Sequence, residues 1–234
     1  MQRADQVHDL LLGKGIYTLG EAATLIGGKK RSIRRWMQGY DFKRDGKTHR
    51  SIPLWQSDIP KLDDHVELSF RDLIELRFIH AFSQAGIGLK AIRNCLEYAR
   101  ECAQSDRPFS SGRFRTDGKT IFLESLEASE DPKVLDLRQK QYVFKTIVER
   151  TFRDLDLEDE LVVRWRPFRG KASIVIDPQR SFGQPIASAS GVPTIALAEA
   201  VEAEGSIERV AKLFEVDLAV VRDAVRYEQE LRAA

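Results

Sequence analysis

The sequence predicts a mainly α chain with small β hairpins, an α+β class, and three observations carry that prediction. Short runs with apolar residues at helical spacing begin at capping residues and end at glycine. Asp-Gly pairs, the chemistry of two-residue hairpin turns, sit at Asp45-Gly46 and Asp117-Gly118. Breaks rich in Pro, Ser and Gly, at 108–112 and again at Ser190-Gly191-Val192-Pro193, divide the 234 residues into modules. The expected boundaries are 1–104, 105–176 and 177–234.

Thr18 followed by Glu21 is a capping-box pattern, which satisfies free N–H groups at a helix start. Leu19, Ala22, Ala23 and Ile26 then recur on one helical face, and Gly27-Gly28 breaks the helix. Ile33 and Trp36 supply the inward face of the next helix, which leaves Lys29, Lys30, Arg31, Ser32, Arg34 and Arg35 for the outside. A helix, a tight turn and a basic helix form the arrangement that lays one helix in the major groove of DNA. A small helical hairpin with a solvated basic face is the plainer alternative.

The next segment, Phe42 to Arg50, centres on Asp45-Gly46, and its arms carry Lys43, Arg44, Lys47 and Arg50. A basic hairpin directly after a groove-binding helix is placed to grip the phosphate backbone. Asp58-Ile59-Pro60 leads out of it. Ser69-Phe70-Arg71-Asp72 then opens a capped helix through Leu73, Leu76, Phe78, Ile79 and Phe82, and a further helix runs from Ile87 to about Gln104.

The order Tyr-Thr-Leu-Gly-Glu-Ala-Ala, basic helix, hairpin, then Leu-Ile-Glu-Leu-Arg-Phe-Ile and Ala-Gly-Ile-Gly-Leu-Lys-Ala-Ile-Arg resembles the MerR-type winged helix-turn-helix domain over residues 15–104. The resemblance implies a DNA-binding homodimer with a recognition helix at Lys29–Gln38 and a wing at Phe42–Ile52. The chain departs from that family after residue 104, where Pro108, Ser110, Ser111 and Gly112 interrupt the long dimerising helix usual there.

The formal net charge of +1 hides an asymmetry. Residues 29–50 are strongly basic, with only Asp41 and Asp45 opposing, so the remainder is net acidic. Arg3, Asp5 and Asp9 interrupt any signal-peptide pattern, and no run approaches the ~20 apolar residues of a membrane span. A cytoplasmic, nucleoid-associated protein is expected. Cys95 and Cys102 read as free thiols, with a redox pair or half a metal site as the alternative, and His8, His49, His65 and His80 stand apart from any ligand cluster. No cofactor and no metal are expected. No spaced Ser/His/Asp set or phosphate-cradling Gly loop appears, so an enzyme is not expected.

In the middle, Arg113–Thr116 and Thr120–Glu124 flank Asp117-Gly118 and read as a second hairpin. Asp131-Pro132 offers a helix start, with Leu135, Tyr142, Val143, Ile147 and Val148 apolar and an end near Asp154. Leu161–Phe168 and Ala172–Ile176 read as strands meeting at Arg169-Gly170. Four strands and one helix are thus expected, serving as a dimer contact or spacer, with a ligand pocket as the alternative.

Beyond residue 177, helices are expected at Ile195–Glu204, Ile207–Phe214 and Leu218–Tyr227, a three-helix unit with helix-turn-helix order. Glu199, Glu202, Glu204, Glu208, Glu215, Asp217, Asp223, Glu228 and Glu230 dominate its charge, which suits a protein partner better than DNA. Asp177, Pro178, Gly183, Pro185, Ile186 and Gly191 resemble the entry to a domain typical of bacterial antitoxins, although Ser190-Gly191-Val192-Pro193 replaces its usual Gly-Thr-Arg step.

The combined order is similar to the larger VapB-type antitoxins, which implies a PIN-type ribonuclease toxin as partner and autorepression at promoter DNA. Arg222 and Arg226 are the cations that would reach a carboxylate-lined toxin site, or would pair with Glu208 and Asp223 instead. A MerR-like regulator sensing a small ligand in its middle module is the alternative function.

Overall fold

A capping box starts the first helix of the computed structural model, which describes residues 13–60, 65–127 and 141–233. Strand β1 (Tyr17–Thr18) ends at Thr18, whose hydroxyl accepts the Glu21 N–H at 3.2 Å while the Glu21 carboxylate accepts the Thr18 N–H at 2.8 Å. Helix α1 (Leu19–Ile26) closes at the left-handed Gly27, and α2 (Lys30–Gln38) follows, burying Ile33, Trp36 and Met37.

Strands β2 (Tyr40–Arg44) and β3 (Lys47–Ser51) form the expected hairpin, with Asp45 (φ 51°) and Gly46 (φ 73°) both left-handed at the turn. Gly39 is required where α2 enters it, since a Cβ there would lie 2.3 Å from the Ser51 carbonyl oxygen. Strand β4 (Glu67–Leu68) pairs with β1.

Helix α3 (Phe70–Gln84) begins at a Ser69/Asp72 capping box and is the spine of the core. Asp72, Leu73, Ile74, Glu75 and Leu76 are consecutive and all buried, so this helix is enclosed on every side. Helix α4 (Leu89–Ala103) packs beside a short 3-10 turn at Pro108–Ser110.

The second expected hairpin does not exist. Residues Gly112–Glu127 form one helix, α5, with Asp117-Gly118 in its middle. Phe114, Gly118, Ile121, Phe122 and Ser125 share helical spacing, and of these Phe114, Ile121 and Phe122 enter the core. Aromatic burial outweighs the roughly 1 kcal/mol that an interior glycine costs a helix. The Ser111 hydroxyl accepts the Phe114 N–H at 3.2 Å and starts that helix.

Helix α6 (Gln141–Phe152) lies next, and the expected start at Asp131-Pro132, with Leu135, falls outside the described residues. The rings of Phe78, Phe82, Phe109, Phe114, Phe122, Phe144 and Phe152 form one cluster, including a stack of Phe122 on Phe144 at 3.9 Å between centroids. The middle of the chain therefore shares its core with α3.

Strands β5 (Leu155–Glu158), β6 (Leu161–Trp165), β7 (Ile174–Ile176) and β8 (Pro185–Ala187) make one antiparallel sheet in chain order. Residues 105–176 thus contribute two described helices and three strands rather than one helix and four, and the sheet is completed by β8. Strand β6 stops before Pro167, which has no N–H for the ladder. Phe168 instead turns inward to meet Tyr227 edge-on at 6.0 Å.

Helices α7 (Thr194–Glu204), α8 (Ile207–Leu213) and α9 (Leu218–Ala233) close the chain around a separate small core of Ala187, Leu197, Val210, Val216, Val221 and Ala224. No helix among the described residues is long and apolar enough to cross a membrane.

Candidate nucleic-acid interface

The cations singled out from the sequence emerge on one contiguous feature. Lys29, Lys30, Arg31, Arg34 and Arg35 are exposed on or at the start of α2, and Ser32 is half-buried with its N–H bonded to the Lys29 carbonyl at 2.8 Å. Lys30, Arg31, Arg34, Arg35 and Gln38 line an open cleft of about 670 Å³ whose other wall is Gly39, Tyr40 and Asp41. Arg31, Arg34, Arg35 and Gln38 follow i, i+3, i+4, i+7 spacing, so they share the outer face of the helix.

Arg35 is oriented by the Tyr40 ring, 3.6 Å below its guanidinium carbon. Lys43, Arg44, Lys47 and Arg50 are exposed along the hairpin. Arg50 is held to Asp41 at 3.2 Å and Arg44 to Asp45 at 3.6 Å, both exposed pairs that water and phosphate compete for. His49 stacks on Phe42, 5.6 Å between centroids.

The angle of the hairpin is set by residues the sequence reading missed. Arg93 donates to the Ile52 and Pro53 carbonyls at 2.7 and 3.1 Å. Arg100 reaches the Leu54 carbonyl at 3.1 Å and Arg107 the Gln56 carbonyl at 2.7 Å. These arginines recur every seventh residue, and that period was the available signal. They tie the segment leaving the hairpin to α4 and to the residues after it.

Arg107 also donates to the fully buried Asp72 at 2.9 Å and to Asp58 at 3.0 Å. Asp72 accepts further bonds from Trp55 Nε1 at 2.7 Å, Ser57 Oγ at 2.7 Å and the Ser69 N–H at 3.0 Å. This buried charge is therefore fully satisfied, as burial demands. Arg77 and Asp154 form a second largely buried pair at 2.6 Å, joining α3 to the loop after α6.

Glu75 lies deeper and less well served. One carboxylate oxygen accepts the Ser110 N–H at 2.8 Å and the other has no partner among the described residues. Burial pushes this carboxyl up to about 7, against the opposing pull of the Ser110 N–H and the Arg107 charge.

The remaining candidates separate from chemistry. Cys95 is buried, with its thiol pushed up to about 12 by that burial, and Cys102 is half-buried. Both lie on α4, where seven residues span ~10 Å of helix axis. A disulfide needs Cα atoms within ~7 Å, so the two thiols do not bond to each other. No group of three or more His, Cys, Asp or Glu suited to a metal occurs among the described residues.

In the C-terminal region, several acidic groups are already engaged. Glu202 pairs with Arg232 at 2.6 Å, Asp223 with Lys171 at 2.7 Å and Glu230 with Arg169. Glu228 is buried against the Thr194 hydroxyl. Arg222 and Arg226 are exposed one turn apart on α9, and neither has a carboxylate within 4 Å among the described residues. The expected pairing with Glu208 and Asp223 thus stays at long range.

No family model matches the chain. It is 26% identical over 232 residues to a protein of Mycobacterium tuberculosis (strain ATCC 25618 / H37Rv) named "Putative antitoxin VapB45", covering 94% of this chain and 97% of that one. The crystal structure of Rv2018 from Mycobacterium tuberculosis is similar in fold, with a TM-score of 0.72 and 27% identity over 89% of this chain and 96% of that one. Over nearly its whole length, this chain is similar to a protein bearing an antitoxin's name.

Proposed function

We propose that this protein is an antitoxin that binds promoter DNA through α2 and the β2–β3 hairpin and neutralises a PIN-type ribonuclease toxin through its C-terminal helices. The observation that carries the reading is near-end-to-end similarity, 94% of one chain and 97% of the other, to a protein named as an antitoxin. The layout of charge supports the division of labour. The cations of α2, without a carboxylate in ion-pair range among the described residues, face outward, and a basic hairpin follows directly.

In this reading α2 is the recognition helix of a MerR-like winged helix-turn-helix and the hairpin is its wing. Arg31, Arg34 and Arg35 reach base edges or phosphates in the major groove, and arginine offers the bidentate fork that guanine accepts. Lys43, Arg44, Lys47 and Arg50 grip the backbone beside it, releasing counterions. A homodimer reads two half-sites about 34 Å apart. Residues 1–104 bind DNA, 105–176 link or dimerise, and 177–234 hold the toxin, with Arg222 and Arg226 offered to its acidic centre. A ligand-sensing role for the middle segment has less support, because phenylalanine rings fill its interior.

The test is neutralisation. The ribonuclease encoded beside this chain is expected to arrest growth alone and to be silenced, and co-purified, when the chain is present. Replacing Arg222 and Arg226 together by Ala is expected to weaken that rescue. Growth arrest that persists with the intact chain present contradicts the proposal.

A further inference from the structure

Two exposed apolar side chains of the C-terminal region line the same recess. Phe182 is 68% exposed and Ile195 38%, and both border a groove of about 370 Å³ whose opposite wall is α1. Ile16 and Leu25 from the N-terminal side meet Pro185 and Leu231 from the C-terminal side to make it apolar. Its ionisable lining groups are the exposed Glu21, the buried Glu228 and Tyr17, whose hydroxyl is bonded to the Gly183 carbonyl, and no Lys or Arg lines it among the described residues.

The backbone beneath Phe182 is unusual. Ser181 and Phe182 have φ of 47° and 54°, a left-handed conformation that bulky residues rarely adopt. The turn is fixed from behind, because the Phe182 carbonyl accepts the Ile16 N–H at 3.1 Å and the Gly183 carbonyl accepts the Tyr17 hydroxyl at 2.8 Å. Gly183 admits no Cβ, which would lie 2.3 Å from that hydroxyl. The backbone is thus locked while the ring projects into solvent. A rigid, exposed aromatic is a low-entropy anchor for a partner.

The geometry points to this groove as a docking site for an apolar segment of the toxin, carrying Lys or Arg at its edge, with Phe182 and Ile195 as anchors. The inference rests on the toxin-binding reading above and adds a contact beside Arg222 and Arg226. Charge complementarity selects the occupant. An apolar trough whose exposed charge is the Glu21 carboxylate, with no cation in its lining among the described residues, suits a cationic amphipathic segment and repels an acidic one.

Calorimetric titration of the full chain with the ribonuclease encoded beside it tests this, using Phe182→Ala, Ile195→Ser, Thr24→Lys and Thr24→Glu. Thr24 is exposed on the groove wall, so either charge is accommodated there without disturbing the core. Phe182→Ala and Ile195→Ser are each expected to weaken binding at least tenfold, Thr24→Lys several-fold, and Thr24→Glu not at all. Thermal melts accompany each variant, and the opposed Thr24 pair decides should an anchor variant unfold.

Wild-type affinity in all four variants overturns the inference and leaves the toxin-binding reading standing. Equal loss in the two Thr24 variants overturns it as well. Failure of the unaltered chain to bind the ribonuclease removes the reading itself, and the groove proposal with it.

Discussion

The helix pairs α1–α2 and α8–α9 are each joined by a tight turn, and charge is balanced differently in the two. Lys30, Arg31, Arg34 and Arg35 on α2 have no carboxylate within ion-pair distance among the described residues. That half also encloses a buried pair, Asp72 with Arg107, beside exposed pairs such as Arg50–Asp41. Around α8–α9 no such buried ion pair occurs among the described residues. The core holds small aliphatic side chains, and the ion pairs Glu202–Arg232, Asp223–Lys171 and Glu230–Arg169 lie toward the surface. The difference lies in the surrounding charge: acidic residues outnumber basic ones beyond residue 194, and such a field opposes a polyanion even where Arg222 and Arg226 stand exposed.

The largest expected effect comes from attacking the buried charge. Arg107→Ala leaves Asp72 without its cation and is expected to cost about 3–5 kcal/mol, read as a fall in the denaturation midpoint. Its counterpart on the other half, Arg232→Ala, breaks an exposed pair and is expected to leave the denaturation midpoint nearly unchanged. Similar losses from both would erase the distinction between the two halves.

Glu75 gives a smaller effect with a pH signature. Its folded carboxyl is raised from 4.5 to about 7, so the folded state holds this proton more tightly than the unfolded chain does. The associated stability is fully present below about 4.5 and is lost as pH rises through about 7. Glu75→Gln keeps an acceptor for Ser110 and carries no charge. It is expected to be more stable than the natural protein at pH 8, by up to roughly 3 kcal/mol, and to lack the decline between pH 5 and 8. A decline of equal size in both proteins assigns it to another group.

The elements legible in the sequence are those whose signals agree. Thr18, Glu21 and Gly27 bracket α1, Asp45-Gly46 makes the hairpin turn, and Ser69 with Asp72 starts α3, because cap, period and turn chemistry coincide there. At Asp117-Gly118 they conflict. A local turn signal lies inside a helical period of aromatic residues, and burial against Phe144 and Phe78 decides the outcome.

The exposed cations of α2 and the hairpin were readable for the same reason: they stand beside strong local signals. The arginines that aim the hairpin leave only a seven-residue period in the sequence, because their acceptors are backbone carbonyls, which side-chain identity does not encode. The Phe182 groove was not readable, since its walls are joined by a hydrogen bond between residues 166 positions apart.

Binding of DNA by the outward cations of α2, and not by those of α9, is the proposed division of labour. Its most direct measurement is the salt dependence of binding, by fluorescence anisotropy, to a duplex from upstream of this protein's own gene. Arg34→Ala with Arg35→Ala is expected to weaken binding at least tenfold and to reduce the log–log salt slope by about 1–2, since each phosphate contact contributes ~0.9. Arg222→Ala with Arg226→Ala removes the same charge from the other half and is expected to change neither quantity. Unchanged affinity and slope in the first pair, or equal losses in both pairs, would contradict the account.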